Sequence, residues 1–260
     1  MSTPTSKQDY EHNGFCVVPY MIPPKTCTEL GRLLCTWLTT QHITPNQYGI
    51  LYHNLFLALP QFAEIIDTYN LKKHAEEIYG YPLILFQDNL IWKPPHGTTS
   101  ISWHQDYSYW PLEAPKGITM WIALDDSDEE NGCLIMSQQS HKRGECIPND
   151  FITDTPASWA TELPPLHIDP QSIHPLVLKQ GMISVHHPLC AHTSGNNTSE
   201  RHRRGWSLTF VEPDIQWDPD HAPHPYSYQF SIEKGKRLHN LPTLLQNRYR
   251  RPEKKMLMDP

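Results

Sequence analysis

The stretch Trp103-His104-Gln105-Asp106-Tyr107-Ser108-Tyr109-Trp110 holds an imidazole and a carboxylate one residue apart, and it sets the expectations for the whole chain. If residues 101–107 form a strand, as their pattern indicates, His104 and Asp106 project from the same face. A second His from elsewhere would complete a 2-His-1-carboxylate set, which leaves positions open on the Fe(II) of non-heme oxygenases. His-x-Asp alone is a weak signal, because many such pairs are solvated loop residues.

The composition indicates one globular domain over residues 1–260. The chain has 260 residues, of which 38% are hydrophobic, and it contains 25 Pro and 12 Gly. Single all-β domains often have this length. The formal net charge is −7, which does not favour nucleic acid as a partner. A basic cluster over residues 248–255 is interpreted as a solvated tail.

The sequence also predicts a cytoplasmic protein that does not bind membranes. Residues 1–6 are polar and lack the features of a signal peptide, and no apolar run is long enough to span a bilayer. The six cysteines show neither CxxC pairing nor the density of a small secreted domain. Free thiols in a reducing compartment fit this pattern. The oligomeric state is not predicted.

Helices are expected in the first third of the chain and strands in most of the rest. Apolar periodicity predicts helices over residues 7–13, from Pro24 to about Leu38, over 59–66 and over 71–79, where Gly80 ends the last one. A short helix is also expected near 241–245. Period-two patterns predict strands over 83–93, 101–107, 117–124, 133–136, 176–179, 182–187 and 206–211. The fold class is therefore mainly β with N-terminal helices, a β-sandwich or jelly roll with the helices on one side.

The segment from Gly144 to Ile173 is rich in Pro, Asp and Ser and has weak periodicity. So long an irregular segment inside a compact domain is usually functional. We expect a lid over residues 144–173 that governs substrate choice, although a surface insertion is the alternative.

The third metal ligand is sought downstream, where His192 begins a polar segment that also contains Ser194 and Arg203. His186 and His187 compete with His192, but their adjacency allows only one of them to face inward. An Arg fork grips a carboxylate with two hydrogen bonds, and a hydroxyl adds a donor, which together suit a keto-acid cosubstrate. Arg201 and Arg204 compete with Arg203 for that role. If a strand begins near Arg203, Arg204 points to its other face.

The chain resembles the phytanoyl-CoA dioxygenase family of Fe(II)/2-oxoglutarate oxygenases. The resemblance is carried by residues 10–15, the region 87–106, the run 131–134 and residues 192–204. It implies a double-stranded β-helix, the cupin-like form of the jelly roll. Further residues, Gly181-Met182, the run 138–141 and Thr193, depart from common family patterns and bear on loop shape and substrate choice.

The resemblance also implies a site. Fe(II) would be held by His104, Asp106 and His192, and 2-oxoglutarate would be anchored by Arg203, eleven residues past the distal His. Trp121, Ser194 and Gln105 fall where the family contacts 2-oxoglutarate or shapes its pocket, and Gln87 falls near the substrate and the cosubstrate. For Trp121, an ordinary core position is an equal alternative. Lys93 is either a solvated strand end or a charge near a substrate anion.

The expected function is oxidation of a small organic metabolite by O2, with 2-oxoglutarate converted to succinate and CO2. Hydroxylation is the default outcome; desaturation, ring formation and epimerisation use the same ligands. A related halogenase needs an empty position where Asp106 stands, which argues against that reaction. A non-catalytic jelly-roll binding protein is the competing class. A coenzyme-A thioester would require a basic groove, and only residues 234–237 and the tail are basic, so a free metabolite is favoured.

Overall fold

The computed structural model describes residues 4–43, 49–146, 168–224, 226–229 and 232–240, which form two facing antiparallel sheets beside a layer of helices. The strands are β1 (Phe15–Val18), β2 (Ile50–His53), β3 (Ile84–Lys93), β4 (Ile101–His104), β5 (Gly117–Ala123), β6 (Leu134–Ser137), β7 (Ile173–Pro175), β8 (Ile183–His186), β9 (His192–Ser194) and β10 (Arg203–Val211). One sheet has the order β1-β8-β5-β10-β3-β2 and the other β4-β9-β6-β7. This is the jelly roll expected from the sequence.

The helices are α1 (Pro4–Asn13), α2 (Pro24–Thr40), α3 (Leu55–Ala58), α4 (Pro60–Thr68), α5 (Leu71–Tyr79) and α6 (Tyr226–Gln229). Pro24 and Pro60 begin their helices, where the missing N–H is no loss. Gly80 ends α5 with φ of +89°, a backbone conformation that favours glycine. No described helix combines the length and the apolar character needed to cross a bilayer.

The outer face of the larger sheet is apolar and packs against α2, α4 and α5. Leu34, Phe62 and Leu71 from the helices share one buried cluster with Met120 and Trp206 from the sheet. Burying large side chains of this kind stabilises the fold by about 1.5–3 kcal/mol each. This cluster fixes the sheet and leaves its other face to the interior of the roll.

The inner face of the same sheet is largely polar. Residues paired across adjacent antiparallel strands point to the same face. The inward side chains are Arg203, Gly205, Ser207 and Thr209 of β10, paired with Lys93, Ile91, Asn89 and Gln87 of β3, and Ala123, Trp121 and Thr119 of β5. This arrangement confirms the alternation predicted for residues 83–93.

Two expectations need correction, and a short strand was missed. The strand expected over 101–107 ends at His104, and Asp106 begins a 3-10 turn. The strand expected over 176–179 is displaced to Ile173–Pro175, because those residues pair with β6. Strand β2 was not predicted, since four residues give too short a pattern.

Some expectations lie outside the described residues. They are the basic tail, the short helix near 241–245 and residues 147–167, which make up most of the expected lid. The two ends of that segment are described: Gly144 follows a 3-10 turn, and Ile173 begins β7.

Candidate active site

Two imidazoles face each other across the smaller sheet. His104 is the last residue of β4 and His192 is the first of β9, and these two residues are paired in the antiparallel register. Their ring centroids are 4.1 Å apart. Pairing of the two strands therefore brings together two residues that are 88 positions apart in the sequence (192 − 104).

Backbone carbonyls orient both rings. His104 Nδ1 lies 2.8 Å from the Ser102 carbonyl oxygen, and His192 Nδ1 lies 3.0 Å from that of Cys190. Since a carbonyl only accepts, Nδ1–H donates in each ring and Nε2 keeps its lone pair. Both Nε2 atoms point at the same oxygen, Asp106 Oδ1, at 3.7 and 3.5 Å.

Asp106 reaches the two imidazoles from a turn and not from the strand. Gln105 is extended, after which Ser108 N donates to the Gln105 carbonyl oxygen at 3.1 Å and the chain closes a 3-10 turn. Tyr107 N donates to the carbonyl oxygen of Pro188 at 3.1 Å, which ties the turn to the loop before β9. The i, i+2 strand geometry expected from the sequence is therefore wrong, although the two side chains do meet.

The second carboxylate oxygen of Asp106 is held by two donors from the larger sheet. Thr119 Oγ1 donates to Asp106 Oδ2 at 2.6 Å, and His186 Nε2 lies 3.0 Å from the same oxygen. Oδ1 is thereby turned toward the imidazoles. Ligand atoms of His104, Asp106 and His192 all lie within 4.8 Å of one another, and they are the one such group among the described residues.

The charge states suit a divalent metal. Burial lowers the pKa of His104, and it lowers the pKa of His192 to about 3, so both imidazoles are neutral at pH 7. Burial alone would raise the pKa of the Asp106 carboxyl, but His192, His186 and His104 together hold it well below its ordinary value. Two neutral nitrogen donors and one anionic oxygen donor form a set that suits Fe(II).

His186 and His187, the alternatives to His192 as the third ligand, point to opposite sides of the chain because they are adjacent at the end of β8. His186 faces inward but contacts the far oxygen of Asp106, and no described residue offers a hydrogen-bond partner to its buried Nδ1. His187 faces the other way, 5.3 Å from the ring of His141 between centroids, and burial lowers its pKa to about 4. Neither belongs to the group of three ligand atoms.

Arg203 is a buried guanidinium with unused donors. It is 1% exposed, its Nη2 donates to the Gly132 carbonyl oxygen at 2.8 Å, and its Nε and Nη1 have no partner among the described residues. Burial lowers its pKa to about 10, so it stays charged. Gly132, which lies in the run 131–134 that carries part of the family resemblance, thus supplies the one acceptor found among the described residues. These two buried nitrogens of the cation, Nε and Nη1, carry three N–H bonds that are available to an anion.

Lys93 is the residue whose role the sequence left undecided. Register places it opposite Arg203, and its Nζ donates to Ser194 Oγ at 2.7 Å and to the Ser194 carbonyl oxygen at 3.2 Å. Burial and then the charge of Arg203 lower the pKa of Lys93. Among the described residues, neither cation is paired with a carboxylate. Only the alternation of β3 signalled that Lys93 faces inward.

The other two arginines are occupied. Arg201 is exposed, and its Nη2 lies 2.8 Å from Asp128 Oδ2 and 3.0 Å from Glu130 Oε2. Arg204 lies on the outer face, where its Nε donates to Asp125 Oδ2 at 2.7 Å. The alternation predicted from a strand start at Arg203 is confirmed.

Trp121 lies beside Arg203, with the guanidinium carbon 5.4 Å from the ring centroid. The ring lies directly over Gly205, where a Cβ would come within 2.0 Å of Trp121 Cζ2. Glycine at 205 therefore makes room for the indole, which forms a wall beside the cations. Cosubstrate contact by Trp121 and Ser194 stays a prediction that this geometry favours.

The two predicted glutamines differ in position. Gln105 is fully buried and saturated by backbone groups: Nε2 donates to the carbonyl oxygens of Gly144 at 3.0 Å and Leu189 at 2.8 Å, and Oε1 accepts from Cys146 N at 2.8 Å. Its observed role is to anchor residues 144–146, and a cosubstrate contact stays a prediction. Gln87 lies on the inner face of β3, and its Oε1 accepts from His224 Nε2 at 3.0 Å. His224 was not predicted from the sequence.

Comparison with known proteins places this geometry in context. A family model described as "Phytanoyl-CoA dioxygenase (PhyH)" matches residues 10–205. "Phytanoyl-CoA dioxygenase, peroxisomal" of Homo sapiens is 25% identical over 237 residues, which cover 80% of this chain and 68% of that protein. A "Probable alpha-ketoglutarate-dependent hypophosphite dioxygenase" of Stutzerimonas stutzeri is 28% identical over 170 residues, 63% of this chain and 55% of that protein.

Solved structures share the fold. The non-heme alpha-ketoglutarate-dependent carbocyclase SnoK from nogalamycin biosynthesis superposes with a TM-score of 0.75 and 17% identity, covering 91% of this chain and 93% of that one. The epimerase SnoN, in complex with Fe3+, alpha-ketoglutarate and nogalamycin RO, gives a TM-score of 0.73 and 18% identity, covering 90% and 94%. At these identities the likeness concerns the fold.

Proposed function

Since the chain belongs to the phytanoyl-CoA dioxygenase family, whose model matches residues 10–205, we propose that it hydroxylates a small organic metabolite. Family membership makes it an iron- and 2-oxoglutarate-dependent dioxygenase. O2 and 2-oxoglutarate are the cosubstrates, and succinate and CO2 the coproducts. His104, Asp106 and His192 are the proposed iron ligands, and Arg203 the proposed anchor of 2-oxoglutarate.

The observation that carries the proposal is the joint presence of the three convergent ligand atoms and the orphaned guanidinium. The ligand atoms lie within 4.8 Å of one another, and two buried nitrogens of Arg203, Nε and Nη1, have no acceptor in the described part of the chain. A buried charge without partners is expensive to maintain in a fold. A carboxylate of 2-oxoglutarate would supply those partners, so the residues present fit this cosubstrate.

The iron with 2-oxoglutarate would supply the activation of O2, chemistry that side chains alone do not perform. The chain's own residues set up the surroundings. Ser102 and Cys190 carbonyls fix the ring orientations, and Thr119 and His186 fix the Asp106 carboxylate. Such partners behind metal ligands typically contribute 10- to 100-fold in metal affinity or activity.

Lys93, Ser194 and Arg203 form the proposed carboxylate end of the cosubstrate site. Lys93 Nζ donates to Ser194 Oγ and to the carbonyl oxygens of Ser194 and Gly195, which places its charge beside Arg203 without neutralising it. The indole of Trp121 closes one side and excludes water, so the hydrogen bonds form in a medium of low dielectric constant. Arg203 thus offers hydrogen-bond donors to the end of the cosubstrate that does not react, and Lys93 adds positive charge beside it.

The test is anaerobic binding of Fe(II) and 2-oxoglutarate, followed by succinate release in air. His104→Ala and His192→Ala should each abolish iron-dependent succinate release, because two remaining ligands hold Fe(II) poorly. His187→Ala is the matched control, since its ring faces away from the ligands. Full activity of His192→Ala together with loss in His187→Ala would overturn the ligand assignment.

Alternatives to hydroxylation use the same ligands. Proteins that share this fold include a carbocyclase and an epimerase, so ring formation and epimerisation are the second candidate outcomes, with desaturation beside them. Mass analysis of the oxidised substrate separates hydroxylation, which adds one oxygen, from epimerisation, which leaves the mass unchanged, and from ring formation and desaturation, which each remove two hydrogens. All six cysteines are unpaired, which supports a reducing compartment such as the cytoplasm as the proposed location.

A further inference from the structure

The inner face of the larger sheet continues past the proposed metal site toward Gln87. Thr209 pairs with Gln87 on one side and with Thr119 on the other, so these three side chains share one face. Thr119 donates to Asp106. Two strand spacings place Gln87 about 10 Å from Thr119 on the same wall. Gln87 therefore faces the space beside the metal ligands. It lies away from Arg203, because its partner Thr209 is six residues from Arg203 along β10.

His224 fixes the orientation of the Gln87 amide. The backbone N–H of Tyr226 donates to His224 Nδ1 at 3.2 Å, so Nδ1 is the acceptor and Nε2 carries the hydrogen. That hydrogen is donated to Gln87 Oε1 at 3.0 Å. The carbonyl of the amide is thereby occupied, and the NH2 group is the part of Gln87 left to donate to another molecule.

The dyad is rigid and uncharged. His224 is packed among aromatic rings, with centroid distances of 5.4 Å to Phe86, 5.8 Å to Trp217 and 4.6 Å to Tyr226. Burial lowers the pKa of His224 to about 3, so the ring stays neutral at any pH near 7. The donor that Gln87 presents is therefore held in one orientation.

Charge divides the inner face into two ends. Lys93 and Arg203 are the two cations of the paired inward rows of β3, β5 and β10, and both stand at the same end. The rows continue through Asn89 and Ser207 to Gln87 and Thr209, all of them neutral. An anionic cosubstrate suits the first end, whereas the second offers hydrogen bonds without charge.

We propose that the Gln87 amide, positioned by His224, recognises an uncharged oxygen acceptor of the substrate, a carbonyl, ether or hydroxyl oxygen. The substrate class is a neutral oxygenated small molecule; a coenzyme-A thioester or a free carboxylate does not match this end of the site. The inference rests on the proposed function, since it names the substrate of the same site. Gln87 contacts the substrate, and His224 is a positioning residue.

The first experiment is a substrate panel with the full chain, loaded with iron(II) and 2-oxoglutarate in air. The panel contains neutral lactones and polyhydroxylated ring compounds, carboxylic acids of matching skeleton, and acyl-coenzyme-A thioesters. Succinate release above the rate without substrate is expected only with the neutral set. Stimulation by the thioesters or the acids, and not by the neutral set, would overturn the inference while leaving the proposed function standing. Absence of any 2-oxoglutarate-dependent succinate would instead overturn the proposed function and the inference with it.

The second experiment tests the dyad with the first neutral compound that stimulates turnover. His224→Phe keeps the aromatic packing and removes the donor to Gln87, so KM for that compound should rise about tenfold. His224→Gln can place an amide N–H where Nε2 stood, and it should restore most of the affinity. His202→Phe is the matched control, because His202 accepts from Trp92 Nε1, whose ring lies outside the roll beside Arg204. An unchanged KM in His224→Phe, or no difference between the Phe and Gln variants, would refute the positioning role.

Discussion

Replacing Arg203 by Leu should weaken 2-oxoglutarate binding and leave iron binding intact. In the structure Arg203 Nη2 donates to the Gly132 carbonyl oxygen, while the buried Nε and Nη1 have no partner within the residues that the structure describes. Losing a buried, charged hydrogen-bond partner typically costs about 2–5 kcal/mol. Lys93 remains beside the carboxylate in the variant, so we expect the lower bound, about 30-fold in Kd. Anaerobic calorimetric titration of 2-oxoglutarate into the Fe(II)-loaded protein measures it.

The same substitution should stabilise the protein when no cosubstrate is bound. Burial lowers the pKa of Arg203 from 12.5 to about 10, which corresponds to an unfavourable free energy on the order of 3 kcal/mol for the charged form. Leu carries no such charge, so the unfolding free energy of the cosubstrate-free variant should rise. The stabilisation that 2-oxoglutarate gives the wild-type protein should be strongly reduced. Opposite signs for stability and affinity distinguish this loss from simple unfolding.

Arg204→Leu is the matched control. Arg204 is the next residue of the same strand, but it faces outward and is bonded to Asp125. Its loss should lower stability and leave the Kd for 2-oxoglutarate unchanged. If Arg203→Leu keeps the wild-type Kd, and Arg204→Leu or Arg201→Leu raises it, the assignment of the carboxylate site is wrong.

Two further predictions concern residues behind the metal ligands and in the core. Thr119→Val removes the donor to Asp106 Oδ2 at constant shape, so Fe(II) affinity should fall about tenfold. Thr209→Val, one strand away, is the control and should not change it. Equal Fe(II) affinities of the wild-type protein and Thr119→Val in a metal titration would contradict this. Burial raises the pKa of Asp88 from 3.8 to about 7, although Trp206 Nε1 and Phe56 N donate to it. The folded protein keeps the Asp88 carboxyl protonated up to about pH 7, whereas the unfolded chain ionises it near pH 3.8. The contribution of Asp88 to the unfolding free energy is therefore full below pH 3.8 and falls by about 1.4 kcal/mol per pH unit as the pH rises toward 7. Asp88→Asn should remove this slope in urea unfolding measured from pH 4 to 7; an unchanged slope would show that Asp88 is ionised throughout.

Elements whose pattern is local were predictable from the sequence. The helix ending at Gly80 and the strand over 83–93 are present within one residue of the expectation. Period-two alternation also separated Arg203 from Arg204, because one residue of offset reverses the face of a strand.

What depends on contacts between distant residues was not predictable. Asp106 leaves the strand because the backbone of Tyr107 finds a partner in Pro188, a residue the pattern around His104 does not contain. His186 donates to Asp106 because β8 pairs with β5, and that register is not encoded in either segment alone. His224 was missed for the same reason: its partner Gln87 lies 137 positions away.

Strand β10 presents apolar residues to the helices and mostly polar residues to the interior, which bears on how the substrate range of this enzyme can change. The residues that hold the sheet to the helices, Trp206, Leu208 and Phe210, alternate one by one with Gly205, Ser207 and Thr209, which face the interior. Along this one strand, residues that stabilise the fold thus alternate with residues that face the proposed active site. A lineage, or a directed-evolution library, can vary Ser207, Asn89 and Gln87 together and explore new substrates. None of these positions belongs to the buried cluster that holds the sheet to the helices, so such changes leave that cluster in place.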